Sequence, residues 1–384
     1  MQTPDPLHPG VEALRGVAAL MVLATHYVTL VQAQGPGMWG LAATGVDLFF
    51  VLSGFVFAKL LARPGWSLAA YGVRRLLRLY PLYLLALLVY AWLHPADSRW
   101  DALPAHLAML HTTGSLQLAG AYNVAFWSLP PEVEFYVLLP VLAWVAFAMR
   151  HQVQAALWPL LGAALAVKVG LVALADPGES TESLRRVLSV HAPGLLVEFL
   201  LGAGVAVVGG HVDAPQLARP WSTRSRRTAA VLGLLALAVL AGMYAQELST
   251  PEQVAQAPLW LQGHVGLWAA AGFAALMLLL KPASGFAPVE SAHADAAQRL
   301  WWAVALWAGR CSYGVYLLHN AAPAVVARVW PSAQGWPLLL ASLGLTFAMA
   351  AVLHRLVEAP ARQWGRRWAA WLDTRRPPPA TAQH

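Results

Sequence analysis

Apolar runs of about twenty residues, each long enough to cross the hydrocarbon core of a bilayer, recur along the whole chain. Isolated strands cannot satisfy their backbone in lipid, so the runs are read as helices. Ten candidate spans fall near 12–32, 40–62, 71–93, 130–149, 155–175, 192–209, 228–246, 262–281, 301–320 and 336–357. The expected fold is an all-α integral membrane protein of about ten transmembrane helices. Composition agrees: only 11% of residues are charged, against about 25% in a soluble domain. The net charge of +7 does not mark a nucleic-acid binder, because the basic residues lie between apolar runs rather than in one patch. The one cysteine, Cys311, excludes an internal disulfide and a multi-cysteine metal site, and no metal is expected. The N-terminus lacks the basic region of a signal peptide, so the first span is expected to be retained. With no internal repeat and no water-soluble domain, residues 1–372 read as one domain. Residues 373–384 read as a disordered, Pro-rich cytoplasmic tail.

The placement of Lys and Arg sets the orientation. One side collects Lys59, Arg63, Arg74, Arg75, Arg78, Arg150, Arg219, Arg224, Arg226, Arg227, Lys281, Arg299, Arg310 and the arginines from Arg355 onward. The other holds Arg99, Arg185, Arg186 and Arg328. Both termini are therefore expected in the cytoplasm. Trp39, Trp127 and Trp336 suit interfacial belts. Lys168 is expected to snorkel to the outer surface, and the run Arg219 to Arg227 to touch anionic lipid.

Arg15 and His26 lie inside the first span, eleven residues apart. At about 100° per residue they leave the same helix face, roughly 16 Å apart along the axis. An ionisable group there costs about 2.5–3.5 kcal/mol on insertion scales and is a functional-site hypothesis by default. The expected topology sorts the other polar residues by depth. Arg15, Arg75 and Arg78 gather at the inner mouth. His26, Asp47, Glu132 and His319 gather toward the outer half, with Glu132 in the first turn of the fourth span. Glu358 ends the tenth span on the inside. Arginine forks suit phosphates. A histidine suits deprotonating a hydroxyl, with Asp47 or Glu132 as its orienter. An anionic donor from the cytoplasm and an acceptor from outside would meet along such a path.

The same residues resemble the membrane-bound acyltransferase-3 family, bacterial enzymes that O-acylate envelope and exported glycans. The matching pieces are Arg15-x10-His26, Gly45-Val-Asp-Leu-Phe-Phe-Val-Leu-Ser53-Gly54-Phe55 and Arg75-Leu-Leu-Arg78-Leu-Tyr-Pro81. Further along come Trp127-Ser-Leu-x-x-Glu132-x-x-Phe135-Tyr136, Ser312-Tyr-Gly-Val-Tyr316-Leu-Leu-His319 and Glu358-Ala-Pro360. The resemblance implies a ten-helix bundle that takes an acyl group from cytoplasmic acyl-CoA and places it on an extracytoplasmic sugar. It implies His26 as the catalytic residue, Arg75 and Arg78 on the CoA side, and Glu358 as needed for activity. Where the family often has adjacent acids after Trp-Ser-Leu, this chain has Val133 between Glu132 and Glu134. No hydrolase-like domain of the kind that some members append is expected.

Structural readings stand beside the chemical ones. Arg15 can snorkel, and His26 and His319 can pack or sit at the interface. Asp47 can cap a bend, and Glu132 can hold the outer loop. Arg75 and Arg78 can be positive-inside flanks, and Glu358 can clamp to Arg355 or Arg362. Gly45, Ser53 and Gly54 read as close-approach residues and Cys311 as packing. The reading adopted is an O-acyltransferase of the bacterial inner membrane using acyl-CoA, acetyl favoured, on a glycan or glycolipid hydroxyl. His26 is base or transient acyl carrier, Asp47, Glu132 and Glu358 assist, and Arg15, Arg75 and Arg78 hold the donor. Trp127, Tyr136, Tyr316 and His319 are expected to face the acceptor. The rivals are a transporter or flippase of a lipid-linked sugar and a non-catalytic scaffold.

Overall fold

A computed structural model describes residues 9–32, 37–62, 66–98, 100–148, 157–176, 180, 182–212, 220–247, 259–280 and 296–375. Among them every regular element is helical. The helices are α1 (Pro9–Tyr27), α2 (Gly45–Ala62), α3 (Leu68–Leu93), α4 (Leu103–Leu107), α5 (Leu116–Gly120), α6 (Leu129–Ala148), α7 (Leu157–Ala173) and α8 (Leu184–Val190). They continue as α9 (Ala192–Val208), α10 (Thr223–Glu247), α11 (Leu259–Met277), α12 (Ala296–Leu318), α13 (Ala321–Val329), α14 (Gly335–Leu353) and α15 (Ala359–Thr374). Short 3-10 segments cover Val28–Leu30, Gly37–Thr44 and Val124–Ser128, and a π-helical turn, His354–Glu358, joins α14 to α15.

Among the described residues, seven helical stretches are long and apolar enough to cross a membrane: Pro9–Leu30, Trp39–Leu61, Leu68–Leu93, Val124–Val145, Leu184–Val208, Thr223–Ala245 and Gly335–Thr374. Leu157–Ala173 and Gly263–Met277 are apolar but shorter. The chain is thus an all-helical, multi-pass membrane protein. A helix underlies each of the ten segments expected from hydropathy, including α12, which carries Arg299 and Arg310. Arg63, Arg99, Arg150, Arg219, Lys281 and the Pro-rich residues from 376 on lie outside the described residues. Asp373 and Thr374, assigned from sequence to the tail, are the last residues of α15.

Local chemistry sets the helix starts. Ser67 Oγ accepts from Ala70 N at 3.2 Å, Ser115 Oγ from Leu118 N at 3.1 Å and Ser183 Oγ from Arg186 N at 3.2 Å, each answering a first-turn amide that has no helical partner. Packing then depends on small residues, because lipid supplies no hydrophobic drive between helices. The most extensive contact joins α2 to α9. A Cβ on Gly54 would overlap the Phe199 carbonyl, and one on Gly202 would overlap the Val51 carbonyl. The two backbones therefore touch, each through the other's glycine. The α1–α12 contact is nearly as extensive. Around these pairs a core forms from Tyr83, Phe126, Phe135 and Phe199, with the last two rings stacked at 4.0 Å.

The last two long helices form one rod. α15 lies on the start of α3, where Gly365 meets Leu77, Val73 and Arg74. Ala361, Gly365 and Ala369 are its buried stripe, while Trp364, Trp368 and Trp371 are exposed along another.

Candidate active site

α1, α2, α3, α6, α12 and the π-helical turn line a partly open cavity. Its charged lining is Arg15, Arg78, Glu132 and Glu358. Ser53, Ser128, Tyr136, Ser312, Tyr313 and Tyr316 supply hydroxyls, and Val46, Phe49, Phe50, Leu79 and Leu129 complete the wall. On α2 the cavity residues Val46, Phe49, Phe50 and Ser53 follow the i, i+3, i+4, i+7 pattern of one helix face.

Each charge has a built neighbourhood, as charges placed within a membrane protein require. Arg15 Nη1 lies 3.3 Å from Glu12 Oε1, one turn back on α1. Arg78 is surrounded by Tyr136, Glu132, Glu358 and Glu12. The Tyr136 hydroxyl donates to Glu132 Oε1, one turn away on α6. Glu358 is buried and takes a bond on each oxygen: His354 Nδ1 at 2.9 Å and Arg362 Nη1 at 3.2 Å. Of the two clamps considered from sequence, Arg362 is the one that bonds Glu358. The π turn matters here, since such turns re-aim side chains and recur at functional sites.

The end of α1 carries the second half of the site. His26 Nδ1 lies 2.8 Å from the Val22 carbonyl. His319 Nδ1 lies 2.8 Å from the Tyr316 carbonyl. A carbonyl only accepts, so in each neutral ring the proton sits on Nδ1 and Nε2 carries the lone pair. The ring centroids are 4.9 Å apart. His319 is fully enclosed and its Nε2 has no hydrogen-bond partner, while His26 is part-exposed. Tyr27 fixes the His319 backbone, donating to its carbonyl at 2.8 Å. Tyr316 joins the two halves: it lines the cavity, its ring lies 6.2 Å from that of His319, and its hydroxyl pairs with Ser128 Oγ at 2.6 Å.

Arg15 and His26 thus share one face of α1, as their spacing predicts, with Arg15 in the cavity and His26 at the paired imidazoles. Other expectations are corrected. Asp47 is no orienter of His26: its carboxyl is turned to Glu198 on α9 and Lys168 on α7, about 100° round α2 from Val46. Lys168 does not snorkel outward but is buried, 3.8 Å from Glu198 Oε1. Glu132 does stand in the first turn of α6, as the sequence predicts, and there it faces Arg78. Glu134 belongs elsewhere, bonding His191 Nδ1 and, at 2.7 Å, the Ala192 amide at the head of α9. Arg75 does not line the cavity. Its guanidinium sits over Phe57 at 4.7 Å, flanked by Tyr71 at 5.6 Å and Tyr136 at 5.8 Å. Trp127 packs its ring edge-on to Phe50 at 6.3 Å instead of facing the cavity.

The sequence reading missed Glu12, Ser312 and Tyr313. Glu12 had a usable signal, three residues ahead of an intramembrane arginine. Ser312 and Tyr313 had none beyond their place in the Ser-Tyr-Gly-Val-Tyr motif.

The family model of the acyltransferase-3 domain, described as an acyltransferase domain, matches residues 8–355. The chain belongs to this family. The match contains every charged cavity residue except Glu358, three residues past its end. Among similar proteins, the acyltransferase MdmB of Streptomyces mycarofaciens is 25% identical over 94% of this chain and 93% of its own length. The peptidoglycan O-acetyltransferase OatA of Listeria monocytogenes is 22% identical over 93% of this chain and 56% of its own. The putative peptidoglycan O-acetyltransferase YrhL of Bacillus subtilis is 25% identical over 94% and 55%. The chain therefore spans nearly all of MdmB and just over half of the two named for peptidoglycan. No solved structure matches it. Family membership and these relatives make the protein a membrane acyltransferase of the class that moves groups other than amino-acyl groups.

Proposed function

We propose that this acyltransferase carries an acyl group, acetyl foremost, from cytoplasmic acyl-CoA to a hydroxyl of an extracytoplasmic or membrane-linked glycan. It would do so in the bacterial inner membrane, with ten crossings and both termini in the cytoplasm. One observation carries the reading: α1 presents Arg15 to the cavity and His26 to the far end of the same stripe, joined through Tyr316. The names of two relatives, both peptidoglycan O-acetyltransferases, support a glycan as the acceptor class.

In this reading Arg15 and Arg78 take the phosphates of CoA by their forked donors. Glu12 and Glu358 keep those guanidiniums apart and oriented. Arg75 acts one step back, steadying Tyr136 and through it Glu132. The acceptor hydroxyl meets Nε2 of His26. That nitrogen takes the hydroxyl proton while the oxygen attacks the thioester carbonyl, the carbon–sulfur bond breaks, and the thiolate leaves to be protonated. His319 faces the imidazolium that forms.

The test is acetyl-CoA turnover in membranes holding wild type or His26→Ala at matched expression, with envelope glycan as acceptor and base-labile ester as readout. Ester from the wild type and none from the variant is the expected result. Equal ester from both removes His26 from the mechanism, and no ester from either removes the donor or the acceptor class.

A further inference from the structure

A second group of buried ionisable side chains lies outside the cavity. Four helices contribute to it: Asp47 from α2, Lys168 from α7, Glu198 from α9 and His264 from α11. Glu198 is 0% exposed, and among the described residues neither of its carboxyl oxygens has a hydrogen-bond donor. Lys168 Nζ stands 3.8 Å from Oε1, an ion pair too long for a hydrogen bond. The Asp47 carboxyl does lie within hydrogen-bonding reach of Glu198. Two carboxylates cannot bond each other, because neither holds a hydrogen. The missing donor is supplied if the pair keeps a proton.

Charge balance counts the same proton. Two carboxylates and one ammonium sum to −1, which a membrane interior penalises, and a single added proton brings the group to zero. His264 is the other candidate holder, but a cation there would face Lys168 directly. We infer that Asp47 and Glu198 form a membrane-embedded proton-binding site, one proton shared between their carboxyls with Lys168 as the fixed counter-charge. Asp47 is part-exposed near the start of α2, and Glu198 is enclosed behind it. This inference stands on the four-helix cluster alone and does not depend on the reading of the cavity.

The experiment is infrared spectroscopy of the purified full chain in lipid nanodiscs, in H2O and D2O, reading the carbonyl stretch of protonated carboxyl groups. The wild type is expected to show one such group that disappears in Asp47→Asn and, separately, in Glu198→Gln, because each amide leaves one carboxylate to balance Lys168. Lys168→Met is expected to raise the count from one to two. A wild type without the band, a band indifferent to both amide variants, or an unchanged count in Lys168→Met overturns the proposal. So does a band that appears only in His264→Phe, which places the proton on His264. Because both amide variants keep the side-chain shape, either one that folds suffices for the first comparison.

Discussion

The imidazoles of His26 and His319 face each other at 4.9 Å, inclined at 57°, each with its Nδ1 held by a carbonyl of its own helix. Anchoring at Nδ1 leaves a lone pair on each Nε2, one ring part-exposed and the other enclosed. A base of this kind contributes on the order of 10²–10⁴ in rate. His26→Ala is expected to lose ester formation by that factor, with acyl-CoA affinity unchanged. His319→Phe keeps the ring contact and removes the second imidazole. It is expected to cost about tenfold, below that range, because it leaves the base itself in place. The measurement is kcat and KM across pH for both variants.

Arg75 and Arg78 are three residues apart, yet only Arg78 lines the cavity. Arg78→Lys is expected to raise KM for acyl-CoA, because an ammonium loses the forked contact. Arg75→Lys is expected to leave that KM in place. It should lower stability by roughly 1–2 kcal/mol, the scale of a desolvated cation–π contact with three rings beneath. Thermal unfolding beside donor saturation curves separates the two.

The segment between α3 and α6 holds a stack of two buried imidazoles, His106 and His111, with centroids 4.1 Å apart and planes within 4°. Burial, and then the neighbouring His111, pull the His106 value down from the usual 6.5 to about 4. His111 is also lowered, first by burial. The unfolded chain therefore binds protons that the folded one refuses. Stability should fall once pH drops below about 6.5, the unfolded value, and keep falling toward 4. Melting temperatures across that window should slope downward with acid, and His106→Phe should flatten the slope.

Gly54 and Gly162 make a matched pair. A methyl on Gly54 meets the Phe199 carbonyl, whereas one on Gly162 meets open space. Gly54→Ala is expected to cost about 1–3 kcal/mol or more, as overpacking does. Gly162→Ala is expected to be neutral or stabilising by roughly 0.5–1 kcal/mol. Yield of monodisperse protein and its melting temperature report the difference.

What could be read from sequence followed from properties internal to one helix. Arg15 and His26 share a face because eleven residues make three turns, whatever surrounds them. Positions that depend on a neighbouring helix were not legible. The direction of Asp47 requires knowing that α9 lies against α2, and the fate of Lys168 depends on Glu198, thirty residues later. The first-turn place of Glu132 was legible, but its partner Arg78, on another helix, was not. The division of labour between Arg75 and Arg78 likewise comes from Phe57, Tyr71 and Tyr136, contributed by three helices.

The π-helical turn at His354–Glu358 has a genetic consequence. It packs one more residue than an α-helical turn would. Removing one residue there lets the bulge close into an ordinary α turn, which keeps α15 on α3 but takes away the local widening that aims Glu358 between His354 and Arg362. In this stretch a missing codon spares the rod and disarms the carboxylate.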